Sequence, residues 1–233
     1  QEFREMGMTG ICADPDRGGA GMGHDALSTM LESVAQRAPE WAAMLACHNA
    51  GAVSAVQALG DQVEPGLLPT LCSGERYGAS NLQQVHEEGF FLVPDLSRPM
   101  TGVQLFLDGS VRIYPKAAFE MGPSLLGFNG FHKAGLPHGE EGVADLNGAL
   151  SEAHSSHCLA LWYLSWASVS VGVGRGAFAA MASYVEDRKQ FGKPLSAFQA
   201  IQWMIADSNA ELDAASLLVG QASSQNTLKL SQC

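Results

Sequence analysis

From Leu150 to Arg188 the chain is apolar on almost every face of a helix and holds no proline. A helix of that kind needs other helices around it, because its hydrophobic surface is too wide for one neighbour to cover. No apolar run approaches the ~20 residues that cross a bilayer, so the expected neighbours are protein helices. One follows directly. Beyond Pro194, Ser196 and Gln199 stand at capping-box spacing. Phe198, Ile201, Ile205, Leu212, Ala215 and Val219 then recur in steps of three and four, the period of one helix face, while Asp207, Asn209, Glu211 and Asp213 fall largely elsewhere. The tail from Ser223 to Thr227 is polar and is expected to fray.

The first 76 residues also read as helical. Leu27, Met30, Leu31 and Val34 keep helical spacing. A second helix is predicted from Glu40 to Leu59, after Pro39 and ending at Gly60, and a short third from Pro65 to Leu71. Between 77 and 145 the character changes. Phe90–Val93 is a short apolar run closed by Pro94. Val103, Leu105 and Leu107 alternate with Gln104 and Phe106, and Val111 and Ile113 resume the alternation after Asp108-Gly109. Asp-Gly in that setting predicts a hairpin with a type I′ turn, whose two central residues take positive φ. Gly122 to Gly148, rich in Gly, Pro and His, reads as one or two further strands or a long loop. The expected fold is mainly α with a small antiparallel β domain: a helical domain at 1–77, a reduced β domain at 78–148, and a partial C-terminal helical bundle at 149–233. This is not the strand–helix alternation of a doubly wound sheet.

Charge narrows the function. Lys+Arg number 13 against 24 Asp+Glu, a net charge of −11, and 46% of residues are hydrophobic while 16% are charged. That composition excludes a disordered chain. It also argues against nucleic acid as a partner, since phosphate backbones are held by clustered Lys and Arg. Cys12, Cys47, Cys72, Cys158 and Cys233 are odd in number, widely spaced and without a Cys-x-x-Cys. They predict buried thiols in a reducing compartment. The chain opens on Gln-Glu-Phe with no signal pattern, and the expectation is that this is not its natural start.

Several motifs offer chemistry and lack its context. Gly18-Gly19-Ala20-Gly21-Met22-Gly23 looks like a phosphate loop but has no Lys-Ser/Thr ending; a tight turn below a helix start is expected. Gly172-Val-Gly-Arg-Gly-Ala177 matches a dinucleotide fingerprint, yet no second strand with a ribose-binding acid follows; small residues that let a neighbouring helix approach are expected instead. His154 and His157 are spaced for a metal but lack a third ligand, so no metal site is expected, and His132 and His138 are weaker candidates still. Ser80, Ser97 and Ser110 lack a nucleophile-elbow setting. The strongest segment is Tyr184-Val-Glu-Asp-Arg-Lys-Gln-Phe-Gly-Lys-Pro-Leu195. It offers a guanidinium for a pyrophosphate, amide donors beside it and an aromatic to stack on a flat ring; a plain helix C-terminus with basic residues is the other reading.

Asp187-Arg-Lys-Gln-Phe-Gly-Lys-Pro-Leu-Ser-Ala-Phe-Gln-Ala-Ile-Gln202, running into Ala206-Asp207, resembles a signature of the FAD-dependent acyl-CoA dehydrogenases. Met8-Thr-Gly-Ile11 with Arg17-Gly-Gly-Ala-Gly21, and Leu59-Gly60 with Leu68-Pro69 and Ser73-Gly-Glu75, are similar to that family's N-terminal segments. The resemblance covers residues ~1–80 and ~150–222. It implies an oxidoreductase, a flavoprotein of fatty acid metabolism, that removes an α-proton from an acyl-CoA and passes the β-hydride to FAD. Arg188 would bind the FAD pyrophosphate of a neighbouring subunit, with Gln190 and Phe191 against the same cofactor. A dimer or tetramer, an acyl-CoA substrate, an electron-transfer flavoprotein as partner and a cytoplasmic or mitochondrial-matrix location follow from the same resemblance.

The departures are as specific. The family's flavin-holding Thr-Glu-Pro…Gly-Ser-Asp and Trp-Ile-Thr-Asn stretches do not occur, and 78–150 is short for its β domain. The family's helical base position, with its following Arg, falls on Trp162 and Tyr163, and the other subfamilies place their Glu beyond Cys233. No catalytic residue is assigned. Two expectations result: an acyl-CoA dehydrogenase known through a shortened or incomplete chain, or a non-catalytic homologue that completes a neighbour's FAD site or serves as a scaffold.

Overall fold

The computed structural model describes residues 2–83, 91–94, 99–115, 119–125, 131–135 and 146–224. The N-terminal part contains α1 (Glu2–Glu5), α2 (His24–Ala35), α3 (Pro39–Ala46), α4 (Ser54–Leu59) and α5 (Leu67–Cys72). α3 and α4 are joined by a π-helical stretch, Cys47–Val53, so the single helix expected from Glu40 to Leu59 is a rod with a wider turn in its middle. Every residue of that stretch is buried. With every residue buried and no exposed face, the stretch carries no periodicity from which the wider turn could be read. The run Pro39–Gln62 is long and apolar enough to span a bilayer, against expectation, but 89% of its apolar window is buried inside this fold.

Seven strands follow: β1 (Tyr77–Gln83), β2 (Phe91–Pro94), β3 (Met100–Phe106), β4 (Ser110–Pro115), β5 (Glu120–Ser124), β6 (Phe131–Gly135) and β7 (Leu146–Ala149). They form a four-stranded sheet in the order β1-β3-β4-β7 and a three-stranded sheet in the order β2-β6-β5. Pairing is antiparallel except between β1 and β3, which run parallel with Tyr77 opposite Met100. The 3–4 hairpin forms where Asp108-Gly109 predicts it, with a different turn. Gly109 donates to the Phe106 carbonyl at 3.0 Å and has φ 85°, while Asp108 is not in the positive-φ region. The Asp108 carboxylate instead accepts from the Ser110 amide and hydroxyl at 2.9 and 2.7 Å. This is a type I turn closed by a left-handed glycine.

α6 (Glu152–Asp187) is the expected long helix, capped by the Ser151 side chain, which accepts from His154 N–H. It is buried mainly between His157 and Gly172. The glycines of the false dinucleotide fingerprint lie inside it. A Cβ on Gly172 would run into the Glu32 carbonyl of α2, and one on Gly176 into that of Gln36, so these positions are small because two helix backbones meet there. Arg175 ties the crossing together, pairing with Glu32 at 3.0 Å and with Asp213 at 3.1 Å. Asp213 belongs to α7 (Gln199–Ser224), whose expected apolar stripe is its half-buried side. The capping box does not form. Ser196 sits in a 3₁₀ turn at Leu195–Ala197, and Gln202 Nε2 donates to its carbonyl at 2.9 Å. Ser223, expected to fray, is buried in the last turn described; residues 225–227 lie outside the described residues.

Two apolar clusters hold the elements together. One joins Leu27, Leu31, Leu45, Phe91, Phe131 and Leu161; the other joins Val53, Val56, Leu71, Val103 and Val111. Each such side chain contributes ~1.5–3 kcal/mol when fully buried. Cys47, Cys72 and Cys158 are free and buried, and Cys12 is free and half-buried. Burial pushes the thiols of Cys12 and Cys47 up to about 12, which makes them poor nucleophiles.

Candidate functional site

Between α6 and α7 the chain makes a minimal hairpin, β8 (Lys189–Gln190) against β9 (Lys193–Pro194). Phe191 and Gly192 form its two-residue loop with φ 52° and 77°, the positive values that a type I′ turn requires. Gly192 adopts that conformation freely, but a bulky L-residue does so at a steric cost. Phe191 is the single non-glycine residue with positive φ among the described residues. Its side chain is 93% exposed, so no core packing explains the strain. Its ring lies 6.4 Å from that of Phe198, and Lys193 Nζ sits 4.2 Å over the Phe198 ring.

The structure therefore brings Arg188, Gln190 and Phe191 together on one exposed projection. Arg188 ends α6: its N–H donates to the Tyr184 carbonyl, and its own carbonyl accepts from Leu195 N–H at 2.9 Å. Both backbone bonds fix where the guanidinium starts, and among the described residues that guanidinium forms no ion pair or side-chain hydrogen bond. A guanidinium, an amide and an aromatic face held out in this way fit the pyrophosphate and adenine end of a dinucleotide. They make half of such a site, because nothing among the described residues closes over them.

Trp162 and Tyr163, where the resemblance would place a helical base and its Arg, also diverge. Trp162 packs into the fold, where a Cβ on Gly51 would meet its ring as well as Ser80. Tyr163 is 60% exposed.

The Gly-rich stretch is a tight turn, as read, and its amides are taken up within the fold. The amides of Gly18, Gly19, Ala20, Gly21 and Met22 all donate to backbone carbonyls, of Pro15, Asp14, Gly10, Ala13 and Ile11 respectively, at 2.8–3.1 Å. The loop instead forms one wall of a half-open cavity of about 750 Å³, shared with α2, the π-helical stretch, α4, and the facing ends of α6 and α7. His24 and His157 meet there with ring centroids 5.3 Å apart. His157 is 7% exposed, more buried than its sequence suggests. Burial, and to a lesser degree His24 and His154, push it down to about 4. Burial also lowers His24, against an opposing pull from Asp25. Among the described residues no group of three or more His, Cys, Asp or Glu could hold a metal ion. His138 and Ser97 lie outside the described residues. Linear spacing gave no sign of this cavity, whose two histidines come from helices far apart in the chain.

Comparison with known proteins agrees with the signature. Residues 1–75 match the family model for the acyl-CoA dehydrogenase N-terminal domain, and residues 158–229 match that for the C-terminal domain. A 3-sulfinopropanoyl-CoA desulfinase of Paraburkholderia xenovorans is 41% identical over 61 residues, 26% of this chain and 16% of that protein. The caffeyl-CoA reductase-Etf complex subunit CarC of Acetobacterium woodii is 42% identical over 85 residues, 36% of this chain and 22% of that protein. The matched stretches thus span less than a quarter of these relatives. The fold superposes on butyryl-CoA dehydrogenase from Megasphaera elsdenii with a TM-score of 0.72 and 18% identity, over 95% of this chain and 69% of that one.

Proposed function

Because the chain belongs to the acyl-CoA dehydrogenase family, we propose that it serves the FAD-dependent α,β-dehydrogenation of an acyl-CoA thioester as one subunit of a dimer or tetramer. The carrying observation is the strained hairpin: Phe191 is held in an unfavourable backbone conformation and left 93% exposed. Strain without local packing is the mark of a residue placed for something outside its own chain. In this reading Arg188 neutralises the pyrophosphate of FAD bound to a neighbouring subunit, Gln190 donates beside it, and Phe191 offers its face to the adenine. FAD, when bound, supplies the acceptor for the substrate's β-hydride. The cytoplasm or mitochondrial matrix would keep the four described thiols reduced.

A second reading has its own support. The described part of α6 has Trp162 and Tyr163 where a carboxylate base would stand, so this chain would lend its hairpin to a homologous subunit that carries the base. An electron-transfer flavoprotein would be the redox partner of either assembly, and the likeness to a subunit of a reductase–Etf complex supports that choice.

Visible absorption of the purified protein, with and without added FAD, tests the proposal. Flavin bands that bleach on adding an acyl-CoA are expected of the enzyme. A protein that stays colourless alone and gains FAD only when mixed with a full-length homologue supports the second reading. Arg188→Ala is expected to weaken FAD binding by about tenfold or more, as loss of a charge-assisted hydrogen bond does. Unchanged affinity refutes the assigned role.

A further inference from the structure

The His24–His157 cavity is separate from the hairpin. His157 and Arg188 stand near opposite ends of α6, roughly 45 Å apart along the helix at 1.5 Å per residue. Its lining carries carboxylates and no cationic side chain, with an amide, Gln57, whose Oε1 accepts from Asp14 N–H. Ser223 and Ser224 donate their hydroxyl protons to backbone carbonyls of α7, and Ser54 donates to the Ala50 carbonyl and meets the Cys158 thiol. The Asn49 side chain is fully used by the backbone, donating to Met8 and Leu45 and accepting from Ile11. The Cys12 thiol donates to the Gly23 carbonyl. Asp14 and Asp25 add two carboxylates, and no Lys or Arg is among the lining residues. His157, more than nine-tenths buried, lines the cavity with no hydrogen-bond partner among the described residues.

We infer that this cavity binds a small organic cation, an amine or guanidinium compound, held by the His24 and His157 imidazoles with Asp25 at the mouth. A neutral imidazole has one ring nitrogen free to accept, and burial keeps both rings neutral. Two such nitrogens and two carboxylates, with no Lys or Arg beside them, complement a multivalent donor with positive charge. The two carboxylates disfavour an anionic ligand at short range. The volume suits a ligand of ordinary metabolite size.

Agmatine is the probe, with butylurea and glutarate as neutral and anionic comparisons of similar reach. The readouts are calorimetry and the imidazole signals of His24 and His157 by NMR, on the whole chain. Agmatine is expected to saturate and to shift both imidazoles, with glutarate and butylurea at least about tenfold weaker. Asp25→Asn, an exposed position, is expected to weaken agmatine about tenfold while circular dichroism is unchanged; His157→Gln provides a second test. Equal binding of all three probes overturns the inference, as does preference for glutarate. So does a response to Zn²⁺ with agmatine silent, agmatine binding that ignores both substitutions, or no shift with any probe.

Discussion

His48 shows how one side chain can join three parts of a chain. It is 1% exposed. Its Nδ1 accepts the Gly78 N–H at 3.0 Å, so the ring proton sits on Nε2, which donates toward the Thr9 and Leu71 carbonyls at 2.9 and 3.2 Å. The ring stacks on Tyr77. Two of these partners are strand and loop backbone groups, and the third, the Leu71 carbonyl, also accepts from Gly74 N–H at 2.9 Å. Desolvation pushes His48 down to about 4 from 6.5, outweighing the two carbonyls that favour the charged form. Protonation therefore favours the unfolded chain. The neutral ring's contribution is complete above pH ~6.5 and is lost as pH falls through about 4, on the order of 3 kcal/mol at ~1.4 kcal/mol per unit. His157 titrates in the same window and the same direction. Urea denaturation at pH 7 and at pH 4.5 should show that loss. His48→Met should lower stability at pH 7 by about 2–4 kcal/mol and flatten the pH dependence; an unchanged slope refutes the assignment. Phe191 is the opposite kind of residue, strained and exposed, and under the proposed function it serves a neighbouring subunit. Phe191→Gly is expected to raise the thermal midpoint slightly, by ~0.5–1 kcal/mol of relieved strain, while weakening FAD binding. A loss of both would mean that Phe191 is structural.

The elements divide into those that periodicity reveals and those that packing creates. The long helices were legible because Leu27, Met30, Leu31 and Val34, or Phe198 through Val219, must each face a core at helical spacing. The Tyr184–Leu195 segment stood out through its signature, but neither the Lys189–Pro194 hairpin nor the positive φ of Phe191 could be read from it. Strand β1 was not legible, since Tyr77-Gly-Ala-Ser-Asn-Leu-Gln83 has no alternation. It exists because the π-helical stretch packs against it, with Gly51 facing Ser80 and Gly78 facing Ala52 so closely that a Cβ on either glycine would collide. The cavity was hidden for a similar reason: its walls come from five separate segments. The α2–α6 crossing was half legible, as small residues without a named partner. Gly172→Leu is expected to force the Glu32 carbonyl away and cost ~1–3 kcal/mol or more, visible as a lowered urea midpoint. Arg175→Met should cost less, about 1–2 kcal/mol, because Glu32 keeps Ser216 at 3.4 Å while losing its partner charge. If the arginine change proves the more damaging, the crossing is held by charge rather than by close approach.

At the scale of the molecule, the balance of buried and exposed surface points to association. α7 contributes only Val219 and Ser223 to the fully buried set, while Trp203, Met204, Leu217 and Leu218 are 62–75% exposed. Trp203 and Leu217 lie two heptads apart, as do Met204 and Leu218, so each pair shares a helix face. Scattered apolar residues need no explanation, but an ordered stripe beside the exposed Tyr184 and Phe191 is the surface a second helical layer would cover. The net charge of −11 opposes nonspecific clumping through mutual repulsion, which favours a defined oligomer over aggregation. Light scattering coupled to gel filtration is therefore expected to give a discrete dimer or tetramer. Leu217→Glu with Leu218→Glu should shift it to monomer, since two leucines at ~1.5–3 kcal/mol each exceed what one interface can lose unnoticed. Both side chains face solvent within the chain, so circular dichroism should not change. If the double variant keeps its assembly, the stripe is not the interface. If it also lost FAD together with its partner, the hairpin and the stripe would belong to one contact, in which the surface that needs covering and the cofactor end that needs completing are met by the same neighbour.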